Sequence, residues 1–204
     1  AQDVIAVTTA SGGTAVGSGG SMFGGASGKG ALLNASGTAG RGSFAQGFAA
    51  NTGTAINVRV SAAAAGSRAG GYAKASAGTS QILAANVGSI AQGYAYTTAA
   101  SGVSQIHANG YGSFALGFAK EVAVGANARI RAYGYGAFSR GSVYNNGSSS
   151  ALMIASGYGS MAMGDIRVSN AGGGGTMTSS SRGSIAMGAV YCNGAVNINM
   201  TSSG

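Results

Sequence analysis

Three carboxylates, one imidazole and one thiol make up the acidic, imidazole and thiol groups of this chain: Asp3, Glu121, Asp165, His107 and Cys192. General acid–base catalysis needs two titratable groups that converge with separated pKa values. Acids at positions 3, 121 and 165 offer no such pair by spacing. A nucleophilic Cys192 would need an adjacent base. No histidine lies within its own or the adjacent repeat, so it reads as a passive thiol. Zinc sites take several Cys or His ligands, and two residues cannot supply them. The run Gly172–Gly175 lacks the lysine and hydroxyl of a phosphate-binding loop and reads as a turn. The expectation is a protein that is not an enzyme and uses no cofactor or metal.

The cations carry more information. Eleven Lys and Arg face three acids, for a net charge of +8. A basic surface favours glycans, lipopolysaccharide, nucleic acid or a membrane face. The same charge also keeps a repetitive β-protein soluble and resists edge pairing. Arg129, Arg131 and Arg140 form the densest basic spot and are the leading candidates for a polyanion contact. No Lys/Arg run points to a specific nucleic acid. No apolar stretch approaches the ~20 residues of a membrane-spanning helix.

These side chains must be positioned by an unusual backbone. There are 40 glycines among 204 residues, no proline, 7% charged and 45% hydrophobic residues. Low charge with that apolar content argues against disorder, and absent proline argues against collagen. The string Gly-Ser-(large apolar)-Ala-x-Gly recurs at 42–47, 88–93, 112–117, 159–164 and 183–188, with degenerate copies from Gly20, Gly66 and Gly136. Successive motif glycines stand 22, 24, 22, 24, 24, 23 and 24 residues apart. A second column precedes each motif: Val60, Ile82, Ile106, Ile130, Met153 and Met177, followed two residues on by Ala62, Ala84, Ala108, Ala132, Ala155 and Ser179. Between them lie Ser61, Leu83, His107, Arg131, Ile154 and Thr178, so His107 reads as one rung of a solvent-facing column. Apolar, variable, small is period two, the mark of a strand with one face inward. The fold class expected is all-β: a parallel β-solenoid, or β-roll, of 22–24 residues per coil, with two strands and two glycine-rich turns. Residues 1–19 read as an N-terminal strand or partial coil. Residues 20–204 read as about eight repeats that continue further or are capped by another chain, because solenoid ends need cover.

The motif strand admits two orientations. With its large residues inward, Arg68, Gln46, Gln92 and Arg140 would share the core with Phe44, and buried polar groups need partners. With its small residues inward, Phe44, Ile90, Phe114, Phe138, Met161 and Ile185 form an outer apolar ladder, and exposed apolar patches mark interfaces. The second arrangement is favoured and implies self-association through that ladder. Tyr72, Tyr94, Phe48 and Phe118 share one column, and a stacked aromatic column stabilises a solenoid by itself.

The strings Gly-Ser-Ile-Ala-Gln-Gly (88–93), Gly-Ser-Phe-Ala-Leu-Gly (112–117) and Gly-Ser-Ile-Ala-Met-Gly (183–188) resemble the head repeats of YadA-like trimeric autotransporter adhesins. They are also similar to repeats in bacteriophage and giant-virus fibre proteins. The present repeat is longer than that of the adhesin heads. The resemblance implies a left-handed parallel β-roll, commonly trimeric, displayed on a cell or virion surface. The function expected is a non-enzymatic extracellular fibre or adhesive module, a rod presenting a surface for attachment to itself or to a surface glycan or other polyanion. A self-assembling fibril subunit, stacking end to end like a functional amyloid, is the alternative. An ice-binding solenoid would need a regular threonine array, and Thr97, Thr98, Thr176 and Thr178 form no repeating column.

Overall fold

The computed structural model describes the chain apart from residues 1–3, 9–13, 19–20, 28–31, 37–43, 52–56, 63–66, 86–88, 110–112, 124, 134, 136, 148, 157, 171, 181, 195–196 and 204. Eighteen strands follow one another among the described residues. The first four coils hold β1 (Val4–Thr8) and β2 (Thr14–Ser18), β3 (Ser21–Ser27) and β4 (Leu32–Ser36), β5 (Phe44–Asn51) and β6 (Asn57–Ala62), and β7 (Arg68–Ala75) and β8 (Thr79–Ala84). The next three hold β9 (Ile90–Thr97) and β10 (Val103–Asn109), β11 (Leu116–Glu121) and β12 (Asn127–Tyr133), and β13 (Phe138–Asn145) and β14 (Ala151–Ser156). The last two hold β15 (Met161–Val168) and β16 (Gly175–Ser180), then β17 (Ile185–Cys192) and β18 (Ile198–Ser203). Odd strands pair only with odd strands and even only with even, giving two nine-stranded sheets. All pairings are parallel, as in Ala91 beside Ala69 and Ile106 beside Ile82. The fold is an all-β parallel β-solenoid of ~24 residues per coil. Residues 4–18 carry both a β1 and a β2, each in register with the next coil.

The even sheet packs as its period-two pattern requires. Val60, Ile82, Ile106, Ile130, Met153 and Met177 are fully buried, while Leu83, His107, Arg131, Ile154 and Thr178 in the variable column are half-buried and Ser61 is buried. The odd sheet turns its small residues inward: Ala45, Ala69, Ala91, Ala115 and Ala162 are at most 2% exposed. The large motif residues therefore lie outside.

The reason is complementarity between the sheets. The second motif glycine faces the core at Gly71, Gly93, Gly117, Gly141, Gly164 and Gly188, stacked one above another. At Gly93, a Cβ would lie 2.6 Å from Cδ1 of Ile82 and would run into the Gly71 carbonyl oxygen of the previous coil. Its φ of 144° is also one that side chains rarely adopt. At Gly93 the missing side chain thus leaves the space that receives Ile82 of the opposite sheet. Volume is exchanged elsewhere too. Where the odd sheet grows from Ala119 to Val143, Ile166 and Val190, the even sheet shrinks from Ser104 to Ala128, Ala151 and Gly175. A Cβ on Gly175 would meet Val190 Cγ1 at 2.5 Å. Close packing forces such compensation, since an interior has little free volume.

Candidate functional site

Strand alternation and register place four outward columns on the odd sheet. In one, Phe48, Tyr72, Tyr94 and Phe118 occupy successive coils. Their rings stack with centroids 5.2, 5.1 and 5.2 Å apart and planes within 3–11° of parallel. Because each ring covers its neighbour's face, the column presents edges and phenol groups to solvent. Burial and the nearby Tyr96 hold the Tyr72 phenol above its usual pKa of 10; burial, Tyr72 and Tyr96 do the same for Tyr94. Both hydroxyls stay protonated and remain hydrogen-bond donors.

The adjacent column alternates cations with tyrosines: Lys74, Tyr96, Lys120, Tyr144, Arg167 and Tyr191. Lys74 and Lys120 sit 6.0 and 5.8 Å from the Tyr96 ring centroid, Lys120 lies 5.4 Å from that of Tyr144, and Arg167 lies 5.8 Å from that of Tyr191. These are cation–π distances. A cation therefore recurs every second coil, roughly 9–10 Å along the axis at the usual strand spacing. Asp165 is the one acid on this face among the described residues. The alternation escapes a repeat-by-repeat reading of the sequence, because its period is two coils. Comparing each repeat with the next but one, 74 with 120 and 167, would have shown it.

The outer ladder Phe44, Ile90, Phe114, Phe138, Met161 and Ile185 lies on this same face, with Arg68 filling the rung between Phe44 and Ile90. Phe114 and Ile185 are 39% and 40% exposed, and the Phe114 and Phe138 rings meet edge to face at 5.9 Å.

The three arginines of the basic spot lie on two sheets. Arg129 and Arg131 both point outward from β12 on the even sheet, whereas Arg140 points outward from β13 on the odd sheet. The intervening turn carries the chain from one sheet to the other, so closeness in sequence becomes separation across the core. Burial first, and Arg131 second, lower the pKa of Arg129 while Tyr133 raises it. His107, one coil away beside Arg131, has its pKa lowered to about 4 by burial and by that arginine. It meets Tyr133 edge-on at 5.5 Å and is neutral at physiological pH.

A buried polar column, missed by the sequence reading, closes the turns after the odd strands. Asn51, Thr97, Glu121 and Asn145 are at most 1% exposed. Glu121 Oε1 accepts hydrogen bonds from the backbone N–H groups of Val122 and Ala123 at 3.1 and 2.8 Å. Asn145 Oδ1 accepts from Gly147 N–H at 2.6 Å, and its Nδ2 donates to the carbonyls of Ala126 and Ser149, each at 3.0 Å. Glu121 Oε2 is buried without a partner, and burial pushes its pKa up to about 7 against the pull of those two N–H groups. Cys192 occupies the last rung of this column beside Val168, half-buried with a free thiol. Among the described residues no three His, Cys, Asp or Glu side chains gather closely enough to hold a metal ion, and no helix is long and apolar enough to cross a membrane.

Compared with protein-family models, curated proteins and solved structures, the chain matches none of them.

Proposed function

We propose that this chain is a structural attachment module: a non-enzymatic β-solenoid rod displayed outside a cell or on a virion, whose odd-sheet face rests on an acidic glycan. The observation that carries this reading is the column of Lys74, Lys120 and Arg167, held at a two-coil repeat by tyrosines in register. Stacked parallel coils fix the spacing of these cations, so a linear polyanion meets a preorganised row at low entropic cost. Within the stack Tyr72 and Tyr94 offer edges and hydroxyls, and only the outer faces of Phe48 and Phe118 lie beyond another ring. That suits anionic and hydroxylated groups and disfavours stacking of nucleic-acid bases, which needs an open ring face. The resemblance to trimeric adhesin and viral fibre repeats supports the same reading.

The test is salt elution of the intact protein from an immobilised acidic polysaccharide. The variant Lys74→Gln, Lys120→Gln, Arg167→Gln is expected to elute at markedly lower salt, since each lost contact lowers the salt slope, as it does for other polyanions. Elution of the variant at the wild-type salt concentration would refute the reading.

Self-association is a second reading, carried by the outer column of Phe114, Phe138, Met161 and Ile185. An interface of this kind predicts a defined oligomer, a trimer by the resemblance. End-to-end polymers would instead continue the parallel pairing from coil to coil. Light scattering on a sizing column separates the two, and a monomer at all concentrations would exclude both.

A further inference from the structure

Two departures from the repeat fall in the same coil. Arg68 replaces the large apolar residue of its column, between Phe44 and Ile90. Gly70 replaces the amide of the next column, between Gln46 and Gln92. Strand β7 puts both on the outer face two residues apart. A surface hollow of about 460 Å3 lies over Gly70, with the arginine and the two glutamines in its lining and Phe44 and Ile90 at its apolar side.

Gly70 is unlike the glycines beside it. A Cβ on Gly71 would run into the Gly47 carbonyl, and its φ is 125°, so the backbone requires glycine there. Gly70 lies outside the left-handed region, and a Cβ on it would sit 3.6 Å from the Gln92 carbonyl oxygen and 4.0 Å from Gln46 Cγ, ordinary contact distances. Neither conformation nor packing demands a glycine at 70, so its effect is the hollow itself.

We propose that this hollow is a binding subsite for one carboxylate-bearing sugar residue of an acidic glycan, an inference that rests on the attachment reading above. The planar guanidinium of Arg68 matches a carboxylate in two-point geometry. The amides of Gln46 and Gln92 each offer donors and an acceptor to ring hydroxyls. Phe44 and Ile90 cover the apolar C–H face of a pyranose. A few placed polar groups beside apolar walls are the usual make-up of a small-ligand site. The row of cations supplies long-range attraction, and the hollow supplies selection for a carboxylated sugar.

The experiment is titration of the intact protein with a glucuronate oligosaccharide, reading binding by calorimetry and by the side-chain amide resonances of Gln46 and Gln92. The neutral glucose oligosaccharide and a free acidic peptide serve as comparison ligands. Two variants restore the repeat: Arg68→Ile copies residue 90, and Gly70→Gln copies residues 46 and 92 while projecting a side chain into the hollow. Both are checked for the β-sheet spectrum, and if one fails to fold the other decides. The expected result is saturable binding of the glucuronate ligand with shifts at both glutamines, at least tenfold weaker binding of the neutral sugar, and at least tenfold loss in each folded variant. Equal affinity for the neutral sugar, wild-type affinity in Gly70→Gln, or preference for the acidic peptide would each overturn the proposal. Salt-dependent retention on the polysaccharide column without glucuronate binding would overturn the hollow alone. Glucuronate binding with no effect of the three cation substitutions on retention would overturn the attachment row alone.

Discussion

Glu121 sits with no accessible surface at the end of β11, one carboxylate oxygen tied to two backbone N–H groups and the other without a partner. Its pKa rises from an ordinary 4.5 to about 7 on folding. The folded chain therefore holds this proton more tightly than the unfolded chain, and stability is lost as pH climbs from 4.5 through 7. His107 works in the opposite sense: its pKa falls from 6.5 to about 4, so its penalty grows as pH drops through that window. Between pH 6.5 and 8 the unfolded histidine finishes losing its proton, a gain of about 0.4 kcal/mol, while the glutamate's loss is about 0.8 kcal/mol. Wild-type thermal stability is expected to fall slightly between pH 6.5 and 8, while Glu121→Gln does not fall and is the more stable protein at pH 8, by about 3 kcal/mol at most. Melting curves at the two pH values check this, and parallel curves for the two proteins would contradict it. In the sequence Glu121 was one of three scattered acids with no chemical partner. Its burial became legible only once β11 had a known end and inward face. Arg140 lies on the other sheet for a related reason: nine residues from Arg131 is a short distance along the chain, but it spans a turn between sheets.

At the scale of the strand, the even sheet was read correctly from one residue in two. Ile82, Ile106 and Ile130 recur at the coil length, with polar or variable residues beside them and small ones beyond. The odd strand was ambiguous because its two faces, alanine and glycine against phenylalanine, isoleucine and methionine, are both apolar. What decides it is the fit of the Ile82 side chain into the space at Gly93, a relation between sheets that no single strand displays. Close backbone contact with the preceding coil and a positive φ make these inward glycines hard to replace. Gly117→Ala is expected to cost about 3 kcal/mol or more, because it adds left-handed backbone strain to a clash with the Gly93 carbonyl. The same change at Gly70 is expected to be nearly neutral. Chemical denaturation of the two variants side by side checks the contrast, and equal losses would contradict it.

For the whole molecule, repetition makes stability nearly a sum over coils and their interfaces. Deleting residues 112–135, one complete coil, is expected to leave the β-sheet spectrum in place with a modest drop in melting temperature. Loss of folding would mean that the coils are not interchangeable. Repetition also makes function a property of a face rather than of a pocket built from distant loops. The columns of Lys74, Lys120 and Arg167 and of Phe48, Tyr72, Tyr94 and Phe118 lie on one side, and His107, Arg129, Arg131 and Tyr133 on the other. The sequence showed the net charge and the aromatic column, but it could not show which cations share a side until the register of the coils was known. Oxidative footprinting of the intact protein, with and without an acidic polysaccharide, tests the choice of face most directly. Protection is expected at Tyr72, Tyr96, Tyr144 and Met163 on the odd sheet, with His107 and Tyr133 on the even sheet labelled as before. Protection of His107 and Tyr133 with the odd-sheet tyrosines left unprotected would contradict it and return the contact to Arg129 and Arg131.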